Sequence, residues 1–196
     1  MPMTIPQTAA QVIDTTLARA WHVLEAVPDP EIPVVSIREL GILRDVRRAA
    51  DGALEAVITP TYSGCPAMSQ IAGDIGRALD DAALAPYRIV TVLAPAWTTD
   101  WITAAAREKL RAYGIAPPPG LCAAGNGDGT SAGGNASLGT AQVIRFAARP
   151  PASPPPPCPR CGSAHTERVA QFGSTACKAL YRCLACREPF DYFKPY

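Results

Sequence analysis

At 196 residues the chain is long enough for one domain with a real core plus a small appendage. Hydrophobic residues make up 48% and charged residues 18%, which excludes a disordered chain. A net charge of +1 leaves no global field drawing it to nucleic acid or an anionic membrane.

The first residues, MPMTIPQTAA, carry neither a basic n-region nor an apolar h-region, so a secretory signal is not expected. No apolar run approaches the ~18 residues needed to span a bilayer. A cytoplasmic protein is therefore expected, in which seven cysteines point to metal or reactive-thiol chemistry rather than disulfides.

In chain order, residues 8–27 place Ile13, Leu17, Ala20, Trp21, Leu24 and Val27 at helical spacing, and Pro28 ends the pattern. Pro28, Pro30 and Pro33 then impose an extended path. Residues 42–48 and 53–59 read as two strands of a hairpin turning at Asp51-Gly52. The loop TPTYSGCP leads into a second helix with Pro66 in its first position and Met68, Ile71, Ile75, Ala78 and Leu79 as its buried stripe. Residues 87–93 are apolar and rich in β-branched side chains, which predicts a central strand. Asp100 is expected to cap a third helix carrying Ile102, Ala106, Leu110 and Tyr113, with Gly114 as its stop.

After Pro117-Pro118-Pro119 the pattern changes. Residues 120–140 are rich in Gly, Ala, Ser and Asn without periodicity, which predicts a flexible insertion; residues 141–147 read as an edge strand, and 150–157 as a stiff polyproline spacer. The expected organisation is thus an α/β (α+β) domain over 1–149, with a mixed sheet and three helices, the spacer, and a small ribbon over 158–196.

That ribbon contains the most specific signal in the chain. Cys158 and Cys161 form one C-x2-C, and Cys183 and Cys186 form another. Each pair lets one tight turn aim two sulfurs at a single ion, and two such knuckles complete a tetrahedral S4 site. Softness alone does not separate zinc from iron there, and zinc is preferred as the commonest occupant of structural ribbons. So short a segment buries too little apolar surface to fold alone, so the metal should supply most of its folding energy. Residues 158–196 carry six Lys or Arg against three Asp or Glu, and zinc with four thiolates adds about −2. Little positive field remains, so protein docking is favoured over nucleic-acid binding. Cys177 reads either as a hairpin cysteine facing the ribbon core or as an exposed or exchangeable thiol. A complete S4 set leaves His165 without a role, so it is placed on the surface.

Cys65, just before Pro66, falls at or near the N-cap of the second helix. Unpaired N–H groups there are expected to lower its pKa and favour thiolate. With only His22 and His165 available as bases, metal or cluster handling is more plausible than hydrolase chemistry, and an inert capping cysteine is the alternative. Asp29 and Glu31, in DPEIP, are candidate acceptors toward the same face, although acids beside prolines are commonly structural.

DPEIPVVSIRELGIL, an apolar strand and TPTYSGCP together resemble the SufT-like domain associated with iron–sulfur cluster assembly, over residues 8–116. PAWTTDWI, KLRAYGIAPP and FGSTACKALYRCLACREPFDYFK further resemble the PaaD-type subunits of phenylacetyl-CoA epoxidase systems of aerobic phenylacetate breakdown. The resemblance implies a non-catalytic accessory protein whose partners are the reductase and the diiron oxygenase of that system. It implies assistance to maturation of an iron–sulfur or diiron centre, with iron or a cluster bound in transit. By motif it places the acidic loop at Asp29 and Glu31, the family cysteine at Cys65, and the ribbon ligands at Cys158, Cys161, Cys183 and Cys186. The rival reading is a structural subunit of the oxygenase, and a weaker one is a nucleic-acid-binding ribbon.

Overall fold

A computed structural model describes residues 15–119 and 154–195. The expected insertion at 120–140, the expected strand at 141–147 and the first four spacer residues lie outside the described residues.

Helix α1 (Thr15–Glu25) buries Ala20 and Leu24, while Leu17 and Trp21 pack at the edge of the same face. The Pro-punctuated segment 28–36 follows, closed by a bridge between Pro28 and Ser36. Strands β1 (Leu43–Arg48) and β2 (Leu54–Ile58) pair antiparallel. Their turn uses Gly52 at φ +85°, where a side chain would be strained, and the Asp51 carboxylate accepts from the Ala53 N–H. Helix α2 (Ala67–Asp81) buries Ile71, Ile75 and Leu79, and crosses over to β3 (Tyr87–Thr91), which lies parallel to β2.

Among the described residues the sheet order β1-β2-β3 departs from one expectation, with β2 in the middle and β3 at one end. The apolar run beyond β3 does not mark burial: Leu93 is largely exposed. A second correction concerns the third helix. Asp100 sits in a short 3-10 turn (Thr99–Trp101), and α3 (Ala104–Tyr113) is capped by the Thr103 hydroxyl, which accepts from the Ala106 N–H at 3.1 Å. Ile102, Ala106 and Leu110 are buried as expected, Tyr113 is exposed, and Gly114 at φ +100° ends the helix.

The chain then enters a second sheet. Strand β4 (Ile115–Ala116) pairs parallel with β7 (Pro189–Phe193), which continues antiparallel to β6 (Lys178–Cys183) and then to β5 (Thr166–Ala170). The C-terminal ribbon therefore grows on a strand contributed by the α/β domain. Phe193, only 1% exposed, belongs to the α/β core, with its ring 5.9 Å from that of Trp97. Trp97 in turn donates its indole N–H to the Leu40 carbonyl at 2.9 Å. On the far side of the seam the Arg160 guanidinium lies over Gly114, where a Cβ would come within 2.6 Å of it.

Truncating a fully buried aromatic removes its transfer free energy and leaves a cavity, together ~3–5 kcal/mol. Phe193→Ala should lose stability of that order in denaturant titration while still binding one zinc, since no ribbon cysteine is touched; a loss below about 1 kcal/mol would show that the seam carries little of the stability.

Candidate metal centre and interdomain thiol site

In the ribbon, the turn after Cys158 closes with the Gly162 N–H on the Cys158 carbonyl at 2.9 Å. The turn after Cys183 repeats it, with the Arg187 N–H on the Cys183 carbonyl at 3.0 Å. Gly162 and Arg187, each four residues past the first cysteine of its knuckle, both have positive φ, at 74° and 69°. The two C-x2-C units are thus built as a matched pair of turns.

The four sulfurs lie within 4.8 Å of one another, with Cys158 to Cys186 at 3.8 Å and Cys161 to Cys183 at 3.6 Å. A tetrahedron with Zn–S bonds of about 2.3 Å has an S–S edge of about 3.8 Å, so the donor set fits zinc. Cys183 and Cys186 shift in opposite directions: the Cys186 N–H holds the Cys183 thiol down to about 6, while burial and the neighbouring sulfurs push Cys186 up to about 12. Among the described residues no other group of His, Cys, Asp or Glu converges this closely. His165 is exposed, as expected.

The other candidate residues meet at the seam. Asp29 and Glu31 on the proline loop, Thr61 and Cys65 on the loop between β2 and α2, and Cys177 just before β6 line one crevice, closed below by Ile71 and Phe193. Cys65 lies beyond the carboxyl end of β2, where the crossover to α2 opens a gap, the usual place for a site in an α/β unit. The crevice is tight, about 10 Å³, on the order of one water molecule.

Each side chain is held by local backbone chemistry. Asp29 is buried, and its carboxylate accepts from the N–H groups of Glu31 and Ile32 at 2.9 and 2.8 Å. Burial pushes its carboxyl pKa up, and those two N–H groups pull against it. It thereby fixes the loop that presents Glu31. Cys177 is buried, with its sulfur 3.0 Å from the Thr175 hydroxyl and 3.8 Å from the Glu31 carboxylate. Burial, opposed by the Thr175 contact and assisted by Glu31, raises its thiol to about 11. Tyr62, raised to about 12 chiefly by burial, lies beside Cys65.

Two expectations are corrected here. Cys65 lies next to the N-cap Pro66 of α2, as expected, but its pKa is raised, not lowered. Burial is the main cause, joined by the negative charges of Glu31 and Asp29; the Ala67 N–H and the Thr61 hydroxyl pull the other way and are outweighed. Cys177 is neither exposed nor part of the ribbon core; it packs into the core of the α/β domain. Sequence reading passed over Tyr62, Thr61 and Thr175. Their signal was their place within TPTYSGCP and FGSTAC, a few residues from the cysteines they contact.

The comparisons with known proteins agree with this architecture. The family described as "Iron-sulfur cluster assembly protein" matches residues 17–94, and the one described as "PaaD zinc beta ribbon domain" matches residues 147–194. A protein of Escherichia coli (strain K12), named as one subunit of a "Putative 1,2-phenylacetyl-CoA epoxidase", is 43% identical over 188 residues, covering 96% of this chain and 98% of its own. The chain belongs to the PaaD family. An "Fe-S protein maturation auxiliary factor" of Porphyromonas gingivalis (strain ATCC BAA-308 / W83) is 30% identical over 90 residues, 45% of this chain and 85% of its own. A crystallised domain of unknown function from Bacillus anthracis is 28% identical, covers 48% of this chain and 91% of its own, and superposes with a TM-score of 0.45. No helix among the described residues of this PaaD-family chain is long and apolar enough to cross a membrane.

Two outcomes are expected. Cys183→Ser should lose zinc and render residues 154–195 protease-sensitive, because metal binding is the folding energy of so small a segment; elemental analysis and limited proteolysis check both, and iron in place of zinc would overturn the metal assignment. In zinc-loaded protein, iodoacetamide should alkylate Cys65 more slowly than a free cysteine at pH 7. The rate should climb only as pH passes above the ordinary thiol range, since only thiolate reacts. Peptide mass spectrometry against pH reads this, and a Cys65 that reacts faster than free cysteine would restore the helix-dipole expectation.

Proposed function

We propose that this PaaD-family chain is an accessory factor of a phenylacetyl-CoA epoxidase system, serving maturation of an iron–sulfur or diiron centre in its reductase or oxygenase subunits. The observation that carries this reading is Cys65, set in a crevice with two carboxylates, on a domain matched by the iron–sulfur assembly family and joined to a PaaD ribbon. The name of the Escherichia coli relative supplies the system, and that of the Porphyromonas gingivalis relative supplies maturation as the class of task.

The chemistry of the crevice suits cargo rather than a resident cofactor. A thiol whose proton is held tightly exchanges that proton for a metal at a cost, so the metal leaves readily when a client offers a better ligand set. Thiolate and carboxylate together suit ferrous iron, which is borderline between soft and hard. Asp29 shapes the loop, Glu31 offers the acceptor and Cys65 offers the sulfur. The ribbon serves as the docking module, and Val169, Phe172 and Leu184 are exposed apolar side chains on it.

That the Escherichia coli relative is named as part of an epoxidase supports a second reading, a structural component of the oxygenase without metal handling. One experiment separates the two. Reductase and oxygenase are co-expressed with this protein, with Cys65→Ala, or with neither, and their iron content and epoxidation of phenylacetyl-CoA are measured. Cys65→Ala should fold with a loss of about 1 kcal/mol, as expected for a half-buried loop side chain, yet leave a client short of iron. Full client iron and activity with Cys65→Ala would make the structural reading the correct one.

A further inference from the structure

The ribbon sends one cysteine away from its own metal centre and into the α/β domain. Cys177 follows a hairpin tip that is folded back and locked. The Gly173 N–H donates to the Lys178 carbonyl at 2.8 Å, the Lys178 N–H to the Thr175 carbonyl at 3.1 Å, and the Lys194 N–H to the Cys177 carbonyl at 3.0 Å. Gly173 is pressed so closely that a Cβ there would come within 2.5 Å of the Asp191 carboxylate. Apolar side chains of the α/β core pack around Cys177, and polar groups meet it on one side. The residue, 5% exposed, faces Glu31 and shares its crevice with Cys65 and Asp29.

We propose that Cys177 and Cys65 are paired sulfur ligands for one ferrous ion, with Glu31 as an oxygen ligand, so that the transfer site is built by both modules and is complete only when the ribbon is docked. The proposal rests on the reading that Cys65 takes iron, and adds where the second sulfur comes from. Two thiols and a carboxylate on separate elements supply the mixed donor set that a borderline divalent ion accepts. The crevice, about 10 Å³, has room for on the order of one water-sized species. The three donors do not already converge on one point; Glu31 and Cys65 are both half-buried on loops that close on the ion, while Cys177 is held by packing. On binding, each thiol gives its proton to the buffer and the iron stays ferrous, so no oxidant or reductant is required.

The test uses the full chain with its ribbon loaded with zinc, which ferrous iron does not displace, because zinc lies above iron in affinity for such ligands. Ferrous iron is titrated anaerobically against a colorimetric chelator, and thiolate-to-iron charge-transfer absorption is followed. The wild-type chain should bind one iron beside its zinc. Cys65→Ala and Cys177→Ala should each weaken binding at least about tenfold, and the double variant should be little worse than the weaker single, as for two ligands of one ion. Glu31→Gln should weaken it less. Cys177→Ser, closest in size, guards against a packing artefact: with zinc content and Tm retained, it should still lose the charge-transfer signal of one sulfur. If Cys177→Ala and Cys177→Ser bind iron like wild type while Cys65→Ala does not, the shared site is wrong and the Cys65 reading survives. If neither cysteine affects iron binding, the shared site fails, and client iron content decides the function separately.

Discussion

Phe193 stands fully buried in the core of the α/β domain, although it belongs to the last strand of the ribbon. Much follows from that contact. Strand β7 is held on one side by β4 of the α/β domain and on the other by β6, whose last residue is a ribbon cysteine. Whatever fixes the ribbon knuckles therefore also fixes where β6 begins, and Cys177 lies one residue before that point. Metal in the ribbon, burial of Phe193 against Trp97 and placement of Cys177 form one mechanical chain. A ribbon of three short strands cannot supply that rigidity from its own apolar area.

The two thiol environments differ in their surroundings. In the ribbon four sulfurs converge; the Cys186 N–H favours the Cys183 thiolate, while the Cys186 thiol is raised by burial and by its neighbouring sulfurs. At the seam, burial and the carboxylates of Glu31 and Asp29 raise the proton affinity of Cys65, and burial with Glu31 raises that of Cys177. A metal must there compete with a tightly held proton. The difference between the two places lies in what surrounds the sulfur. The N–H of Ala67 does reach Cys65, so the helix terminus acts as electrostatics requires; it is outweighed chiefly by burial, with the two acids adding to it.

What was legible in the sequence was local. The C-x2-C spacing defines its own turns, so the four ribbon ligands could be read without knowing the fold. The stripe of α2 and the glycine stop of α3 likewise depend only on residues within one element. The expectations that failed depended on distant parts of the chain. Val90 and Val92 look like core residues, yet among the described residues no fourth strand covers the outer side of β3. Asp100 and Thr103 are both good caps, and the short turn at Thr99–Trp101 uses up the first, leaving Thr103 to start the helix. The direction faced by Cys177 follows from docking two modules through residues more than a hundred positions apart, which no spacing within FGSTAC encodes.

The segments that most resemble PaaD-type subunits acquire a physical meaning from this arrangement. PAWTTDWI holds Trp97, whose indole N–H is tied to Leu40 and whose ring meets Phe193. KLRAYGIAPP holds Gly114, which leaves room for the Arg160 guanidinium, and β4, onto which the ribbon pairs. These residues lie past the end of the iron–sulfur assembly match and before the start of the ribbon match, so neither module accounts for them alone. Their chemistry is that of a receiving surface, with one aromatic plate, one open strand edge and one glycine gap. An assembly domain without a ribbon has no need of such a surface. The requirement to seat a second module, and through it a second thiol, is the constraint that gives these segments their composition.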